Sequence, residues 1–128
     1  MATRSTSPFT PLLSYQFMSL TTFRKSGAAV PTTVWFAPDQ ENLYVTTGAT
    51  AGKIKRLRNN QRVVLTPCDA RGTLLDERIQ IEAVAHELPA GEHDRAVAAL
   101  KRKYGAQFDS VVASSPVTSR TYIEITAS

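Results

Sequence analysis

Apolar and polar residues alternate along much of this chain, which is the pattern of β-strands whose two faces meet different surroundings. The clearest case is Arg78–Leu88, where isoleucine or alanine fills every second position from Ile79 to Ala85 and Gln80 and Glu82 fall between them. Turn residues separate the apolar runs, and together they predict six strands. These are Ser14–Arg24, Ala28–Ala37, Leu43–Thr46, Arg62–Thr66, Arg78–Leu88 and Thr118–Thr126.

One long helix is predicted over Gly91–Tyr104, where Val97, Leu100 and Tyr104 fall on a single stripe. Acidic residues lie near its start and basic residues near its end, as the helix dipole favours. Gly105 is well placed to end it, because glycine readily takes the conformation of a helix C-terminus.

A second, short and basic helix is predicted after Gly52. Ile54 and Leu57 lie three residues apart, so both can face inward. Gln107–Ser115 is predicted to hold a further helical turn, which gives two or three helices in all.

The strands follow one another mostly as hairpins, which favours an antiparallel sheet. Six strands in 128 residues usually close into a small barrel, because closure hides the strand edges. Pro31 lies inside the second predicted strand and indicates an edge position or a bulge there, since proline has no N–H to donate. The length fits one domain over residues 1–128, with the polar segment 1–10 predicted to be a flexible arm.

Charge is modest but uneven: 15 basic and 11 acidic residues give a net charge of +4. Between Glu41 and Asp69 there is no acid, whereas five basic residues lie there, which implies an anionic partner. They are Lys53, Lys55, Arg56, Arg58 and Arg62.

Several classes of protein are disfavoured by composition. The single cysteine excludes an internal disulfide and fits the cytoplasm. No apolar run is long enough to span a bilayer, and the N-terminus shows no signal-peptide pattern. The two histidines and the cysteine show no metal-ligand spacing.

The basic window coincides with a strand, a glycine-bearing loop and a helix start, the usual geometry for holding a phosphate. Gly48 and Gly52 bound the loop, Lys53 adds a charge, and Thr46 and Thr47 add hydroxyl groups. The spacing matches neither a Walker loop nor a dinucleotide-binding loop, so an ordinary strand-to-helix connection with a solvated basic face remains the alternative.

Four consecutive blocks resemble the pyridoxamine 5'-phosphate oxidase-like split β-barrel superfamily. Within it, the chain is most similar to a group of small deazaflavin-dependent oxidoreductases. The blocks are Pro31-Thr32-Thr33-Val34-Trp35-Phe36, Leu43-Tyr44-Val45-Thr46-Thr47-Gly48, Gly52-Lys53-Ile54-Lys55-Arg56-Leu57-Arg58 and Arg62 to Gly72.

The resemblance implies a mainly-β fold: a six-stranded antiparallel split β-barrel of Greek-key type with two or three flanking helices. It also implies a homodimer with the cofactor in a groove between the subunits. Lys53 would hold the cofactor phosphate and the strand around Val34 would run beside the ring system. The candidate cofactor-binding residues are Pro31, Thr32, Val34, Thr46, Thr47, Gly48, Lys53, Lys55, Pro67 and Cys68.

The function implied is that of an oxidoreductase that uses the deazaflavin coenzyme F420 to transfer hydride to a small conjugated or heteroaromatic acceptor. Flavin-binding members carry an arginine just before the phosphate lysine, and Gly52 stands there in this chain, which favours F420 over FMN. No catalytic residue is assigned, because the cofactor carries the chemistry. The segment that recognises pyridoxal in the true oxidases is missing, so we do not expect that activity.

Three alternatives stay open at this point. The same fold could bind FMN, or it could carry a cofactor without turnover. A small basic barrel could also bind nucleic acid, but the basic window contains only one aromatic residue, Tyr44, and aromatic residues do not interleave with the charges, which disfavours that interpretation. Trp35 is expected in the core or at the dimer interface, with stacking on the cofactor ring as the second possibility.

Overall fold

A computed structural model describes residues 9–39, 41–48, 52–113 and 120–127. These residues form six β-strands, three α-helices and two single-turn 3-10 helices at Thr10–Leu12 and Ala90–Glu92. The strands are β1 (Phe17–Phe23), β2 (Ala29–Asp39), β3 (Asn42–Gly48), β4 (Arg62–Cys68), β5 (Ile81–Glu87) and β6 (Arg120–Ala127). The helices are α1 (Gly52–Asn59), α2 (His93–Tyr104) and α3 (Ala106–Ala113).

The six strands close into a barrel in the order β1-β2-β3-β6-β5-β4, and β4 returns to pair with β1. Every pairing is antiparallel. The last strand, β6, lies between β3 and β5. It therefore pairs with the strand that precedes it in sequence, β5, and also with the distant strand β3. The predicted six-stranded antiparallel barrel is therefore confirmed.

The barrel is split between β2 and β3. These strands pair only from Phe36 opposite Val45 to Asp39 opposite Asn42. Upstream, residues 29–35 of β2 pair with β1 on one side only. Pro31 lies in this singly paired half, where its missing N–H disrupts no ladder on the open side. The predicted edge position is confirmed, and the divergence of the two strands leaves an opening in the barrel wall.

The main core fills the barrel and is closed at one end by α1. Ile54 and Leu57 of this helix are 1% and 2% exposed and pack with the barrel interior, as their spacing predicts. Apolar residues from all six strands surround them. This core includes Met18, Leu20, Val34, Phe36, Leu43, Val45, Val63, Leu65, Ala83, Ala85, Ile123 and Ile125.

A second core lies outside the barrel, where α2 and α3 cover β2, β3 and β6. Leu100 and Tyr104 of α2 are buried there, and Val97 is partly buried beside them. Gly105 ends α2 with a φ of 58° and donates its N–H to the carbonyl of Lys101, as predicted. No helix in the described part of the chain is long and apolar enough to cross a membrane.

Two predicted strands begin later than the alternation indicates. Residues 14–16 form a turn before β1. Before β5, Asp76 accepts the backbone N–H of Arg78 and pairs with its guanidinium, which holds that segment in a turn up to Ile81. Most of the predicted arm, residues 1–8, lies outside the described residues. The end of the last predicted helical turn and the start of the last predicted strand fall within residues 114–119, which also lie outside them.

Gly72→Ala is expected to destabilise the fold by roughly 1–3 kcal/mol. Gly72 has a φ of 90°, and an added Cβ would lie 2.9 Å from Thr33 Oγ1. Urea denaturation of both proteins measures the effect. Gly91→Ala is the matched control, because a Cβ there meets nothing within 4 Å. Equal stability of the two variants would contradict the expectation.

Candidate functional site

The opening between β2 and β3 forms a pocket of about 140 Å³. Three consecutive residues of β2 line one side. Two threonines of β3, the first turn of α1 and the first residue of β6 line the other. The lining residues are Thr33, Val34, Trp35, Thr46, Thr47, Lys53 and Arg120.

Each of the two threonines of β3 holds one cation of the pocket. Thr47 Oγ1 accepts a hydrogen bond from Lys53 Nζ at 2.9 Å. Thr46 Oγ1 accepts one from Arg120 Nη1 at 3.0 Å and donates to the carbonyl of Thr121 at 3.4 Å.

The pocket is electropositive. Burial lowers the pKa of Lys53, and the positive charge of Arg56 lowers it further. Among the described residues, no carboxylate lines the pocket, whereas Lys53 and Arg120 both do. Two cations and the hydroxyl of Thr47 in a half-closed space suit a phosphate or a similar oxyanion, because such a group accepts hydrogen bonds from all three.

Besides Thr33, Arg120 is the lining residue that the sequence analysis did not name as a candidate. It starts β6, and its position opposite Gly48 in the β3–β6 ladder brings it beside Thr46. The two residues are 74 positions apart in the chain. Only the strand order could have indicated Arg120, because nothing in its local sequence distinguishes it from a surface arginine.

Trp35 forms the aromatic wall of the pocket, and two other aromatic rings pack against it. Its ring lies 4.4 Å from that of Tyr104 and meets Phe17 edge-on at 6.2 Å. The Tyr104 hydroxyl accepts the N–H of Phe36 and lies 2.9 Å from the Phe36 carbonyl and 2.6 Å from that of Gln16. Trp35 thus packs on the second core while still lining the pocket.

Four of the ten candidate residues line the pocket: Val34, Thr46, Thr47 and Lys53. Gly48 follows directly at the end of β3. The structure places the other five elsewhere.

Pro31 is exposed over a separate groove, and Thr32 donates to the carbonyl of Leu20. Lys55 is exposed on α1. Pro67 is buried opposite Met18 in the β1–β4 ladder.

Cys68 lies one layer behind the pocket. It is 1% exposed, and its Sγ is 3.9 Å from the hydroxyl of Thr33. Burial raises the pKa of the thiol, which keeps it protonated and therefore a weak nucleophile. This environment is that of a small buried apolar residue.

The two histidines lie away from the pocket, and each has a partner that the sequence did not show. His86 Nε2 is 3.1 Å from the carboxylate of Glu124. His93 Nε2 is 3.2 Å from the carbonyl of Leu88, and its ring packs on Tyr122. Neither histidine lines the pocket, so neither is a candidate for proton transfer there.

The fold and the pocket together define a split-barrel protein with an anion-attracting pocket in the split. Residues 10–128 match the pyridoxamine 5'-phosphate oxidase family. The chain belongs to this family, which confirms the resemblance at the level of the superfamily. A search of curated proteins gave no match.

Solved structures share the fold at low sequence identity. The heme storage protein HutZ from Vibrio cholerae is 15% identical with a TM-score of 0.68, over 88% of this chain and 82% of that one. The conserved hypothetical protein Rv2991 from Mycobacterium tuberculosis is 19% identical with a TM-score of 0.67, over 98% and 81%. A FAD-binding protein from Mesorhizobium loti is 15% identical with a TM-score of 0.67, over 98% and 91%.

Proposed function

We propose that this protein is an oxidoreductase that binds a flavin-type cofactor in the pocket between β2 and β3, with coenzyme F420 favoured over FMN. The observation that carries the proposal is the convergence of Lys53, Arg120 and two threonine hydroxyls on one side of this pocket, opposite Val34 and Trp35. A phosphate-bearing ring compound needs this combination of an anion site and an apolar wall. Family membership supports the same assignment.

The residues of the chain would bind and orient the cofactor. Lys53 and Arg120 would hold the phosphate through charge-assisted hydrogen bonds. Thr46 and Thr47 would fix the two cations, and Trp35 would limit the space for the ring and exclude water. When bound, the reduced ring supplies a hydride to a small conjugated or heteroaromatic acceptor.

The choice between F420 and FMN depends on the phosphate lysine and the residue before it. Gly52 replaces the arginine expected in flavin-binding members, which favours F420. The FAD-binding protein from Mesorhizobium loti shares the fold, and this likeness keeps FMN as the alternative. Likeness to HutZ keeps a carrier role without turnover as a further alternative. In each case we expect a cytoplasmic protein.

We also propose that the protein is a homodimer. An apolar groove of about 440 Å³ runs over the outer face of β1, β2 and β4, and Pro31 and Leu74 line it. Leu74 and the adjacent Leu75 are 41% and 53% exposed, and an apolar surface beside a groove is the kind of surface that a protein partner covers. A second copy would cover this face. Light scattering tests the proposal, and a monomer at working concentration would contradict it.

The function is tested by titrating the purified protein separately with F420 and FMN. Trp35 is the only tryptophan in the sequence and lines the pocket, so its fluorescence reports binding there directly. We expect F420 to quench this fluorescence at lower concentration than FMN. The control is Trp35→Phe, with binding followed through the fluorescence of the cofactor itself. A cofactor that binds outside the pocket should bind this variant and the wild type with equal affinity.

Each outcome of the titration decides between the alternatives. Tight binding of F420 alone supports the proposal and justifies a screen of acceptors with the reduced cofactor. Tighter binding of FMN would overturn the choice of cofactor but keep the site. Binding of neither compound would overturn the proposed function. Binding of F420 without turnover of any acceptor would favour the carrier role.

A further inference from the structure

Arg56 adopts an unusual position on α1, because its side chain folds back along its own helix. Its Nη1 lies 2.9 Å from the point where a Cβ on residue 52 would be. Any residue larger than glycine at position 52 would therefore displace the guanidinium. Arg56 thus reaches the first turn of the helix, next to Lys53 of the pocket.

This position of Arg56 is anchored. Its Nε donates a hydrogen bond to Thr22 Oγ1, and the side chain of Thr22 is buried at the end of the barrel. The described hydrogen bond uses Nε, so the two terminal nitrogens face the start of α1. An anchored guanidinium whose Nη atoms lie beside the first turn of the helix is pre-organised to bind an oxyanion there in a bidentate manner.

The charges around Arg56 repel one another. Burial lowers the pKa of Arg56, and the charge of Arg24 lowers it further. Arg56 in turn lowers the pKa of Lys53. Arg58 on the same helix differs, because it pairs with Glu87 at 3.0 Å and is largely exposed. A bound anion would relieve the repulsion among Arg24, Arg56 and Lys53. Arg58 needs no such anion, because Glu87 already balances its charge.

We propose that Arg56 and Lys53 form an anion site at the start of α1, in which Arg56 is a third cationic ligand of the cofactor phosphate besides Lys53 and Arg120. This inference rests on the proposed function and deepens it. Lys53 belongs to both the pocket and this site, so the phosphate would lie where the pocket meets the first turn of α1. Gly52 is then required for the function of Arg56 rather than for the fold.

The experiment compares ligands with and without a phosphate. FMN is compared with riboflavin, and the 5'-phosphate of 7,8-didemethyl-8-hydroxy-5-deazariboflavin with the unphosphorylated compound, using wild type, Arg56→Ala, Arg56→Lys and Arg58→Ala. We expect Arg56→Ala to weaken the phosphate-bearing ligand about ten- to a hundredfold and the phosphate-free ligand less than about twofold. Arg58→Ala has the same loss of charge on the same helix and should change neither affinity.

Gly52→Ala tests the same idea without removing any charge. The added methyl group meets only the guanidinium of Arg56, so the protein should fold, and any loss of stability should be limited to the hydrogen bond between Arg56 and Thr22. The displaced guanidinium should nevertheless lower the affinity for the phosphate-bearing ligand at least about fivefold. Equal losses for both ligands, or no loss in Arg56→Ala and Gly52→Ala, would overturn the inference.

Inorganic phosphate separates a failure of this inference from a failure of the proposed function. We expect phosphate to raise the Tm of the wild type but to have a much smaller effect on Arg56→Ala, irrespective of whether any flavin binds. If neither ring compound binds but this difference is found, the anion site stands and the cofactor assignment fails. If phosphate stabilises wild type and Arg56→Ala equally, the anion site fails.

Discussion

Lys53→Ala is expected to weaken binding of the phosphate-bearing cofactor about ten- to a hundredfold. A charge-assisted hydrogen bond contributes roughly 1.5–3 kcal/mol, and each 1.4 kcal/mol corresponds to tenfold in affinity. Lys53 is half-buried, and its Nζ is fixed by Thr47, so little side-chain entropy is lost when an anion binds. Quenching of Trp35 fluorescence measures the affinity.

Lys101→Ala is the control for this variant, since it removes the same charge from an exposed position on α2. Unchanged affinity in Lys53→Ala would remove this residue from the site. The pH dependence gives a second check. Only the ammonium form binds a phosphate, so affinity should fall as pH rises through the lowered pKa of Lys53. In Lys53→Arg, the fall should disappear from the same pH range.

Tyr104→Phe is expected to destabilise the protein by roughly 2–4 kcal/mol. The hydroxyl accepts the N–H of Phe36 and has the carbonyls of Gln16 and Phe36 as acceptors for its proton, at the point where β2 leaves β1 for β3. Phenylalanine would leave the buried N–H of Phe36, and the carbonyl that takes the hydroxyl proton, without this partner, and each such group costs about 1–3 kcal/mol. The loss should also loosen Trp35, whose ring rests on that of Tyr104. Urea denaturation gives the stability.

Tyr122→Phe is the matched control for Tyr104→Phe. Its ring is also buried in the second core and packs on His93. No hydrogen bond of the Tyr122 hydroxyl is found within the described part of the chain, so we expect a change within about 1 kcal/mol. If the two variants lose the same stability, the hydroxyl of Tyr104 does not have the role given to it here.

Alkaline titration provides a separate test of Tyr104. Burial raises the pKa of its phenol to about 12, whereas an unfolded tyrosine titrates near 10. Between these values the folded protein keeps a proton that the unfolded chain has lost. The stabilisation is fully present below about pH 10 and declines as pH rises towards 12. Tyr104→Phe should show a smaller decline over this range.

Local patterns predicted the parts of the fold that depend on local physics. The spacing of Ile54 and Leu57 indicated which face of α1 enters the core, and Gly105 marked the end of α2. Pro31 indicated a strand edge, which proved to be the singly paired half of β2 beside the split. These features depend on near neighbours in the sequence, so a single chain is enough to reveal them.

The pocket was only partly predictable because strand register decides which distant residues meet. Lys53 and the two threonines belong to one continuous segment and were identified together. Arg120 enters only through the β3–β6 ladder. Gly52 was interpreted as a missing arginine, but the structure shows that the guanidinium of Arg56 occupies the adjacent space. A side chain that folds back along its helix leaves no signal in the sequence pattern.

The position of β6 between β3 and β5 has a consequence for synthesis on the ribosome. Until β6 emerges, β3 and β5 each keep an unpaired edge, and such edges favour aggregation. The nascent chain also lacks Arg120, so the pocket is incomplete up to that point. A ligand held there can stabilise only the finished barrel and favours the last step of folding by mass action. Availability of cofactor would therefore influence the yield of mature protein, independently of any effect on turnover.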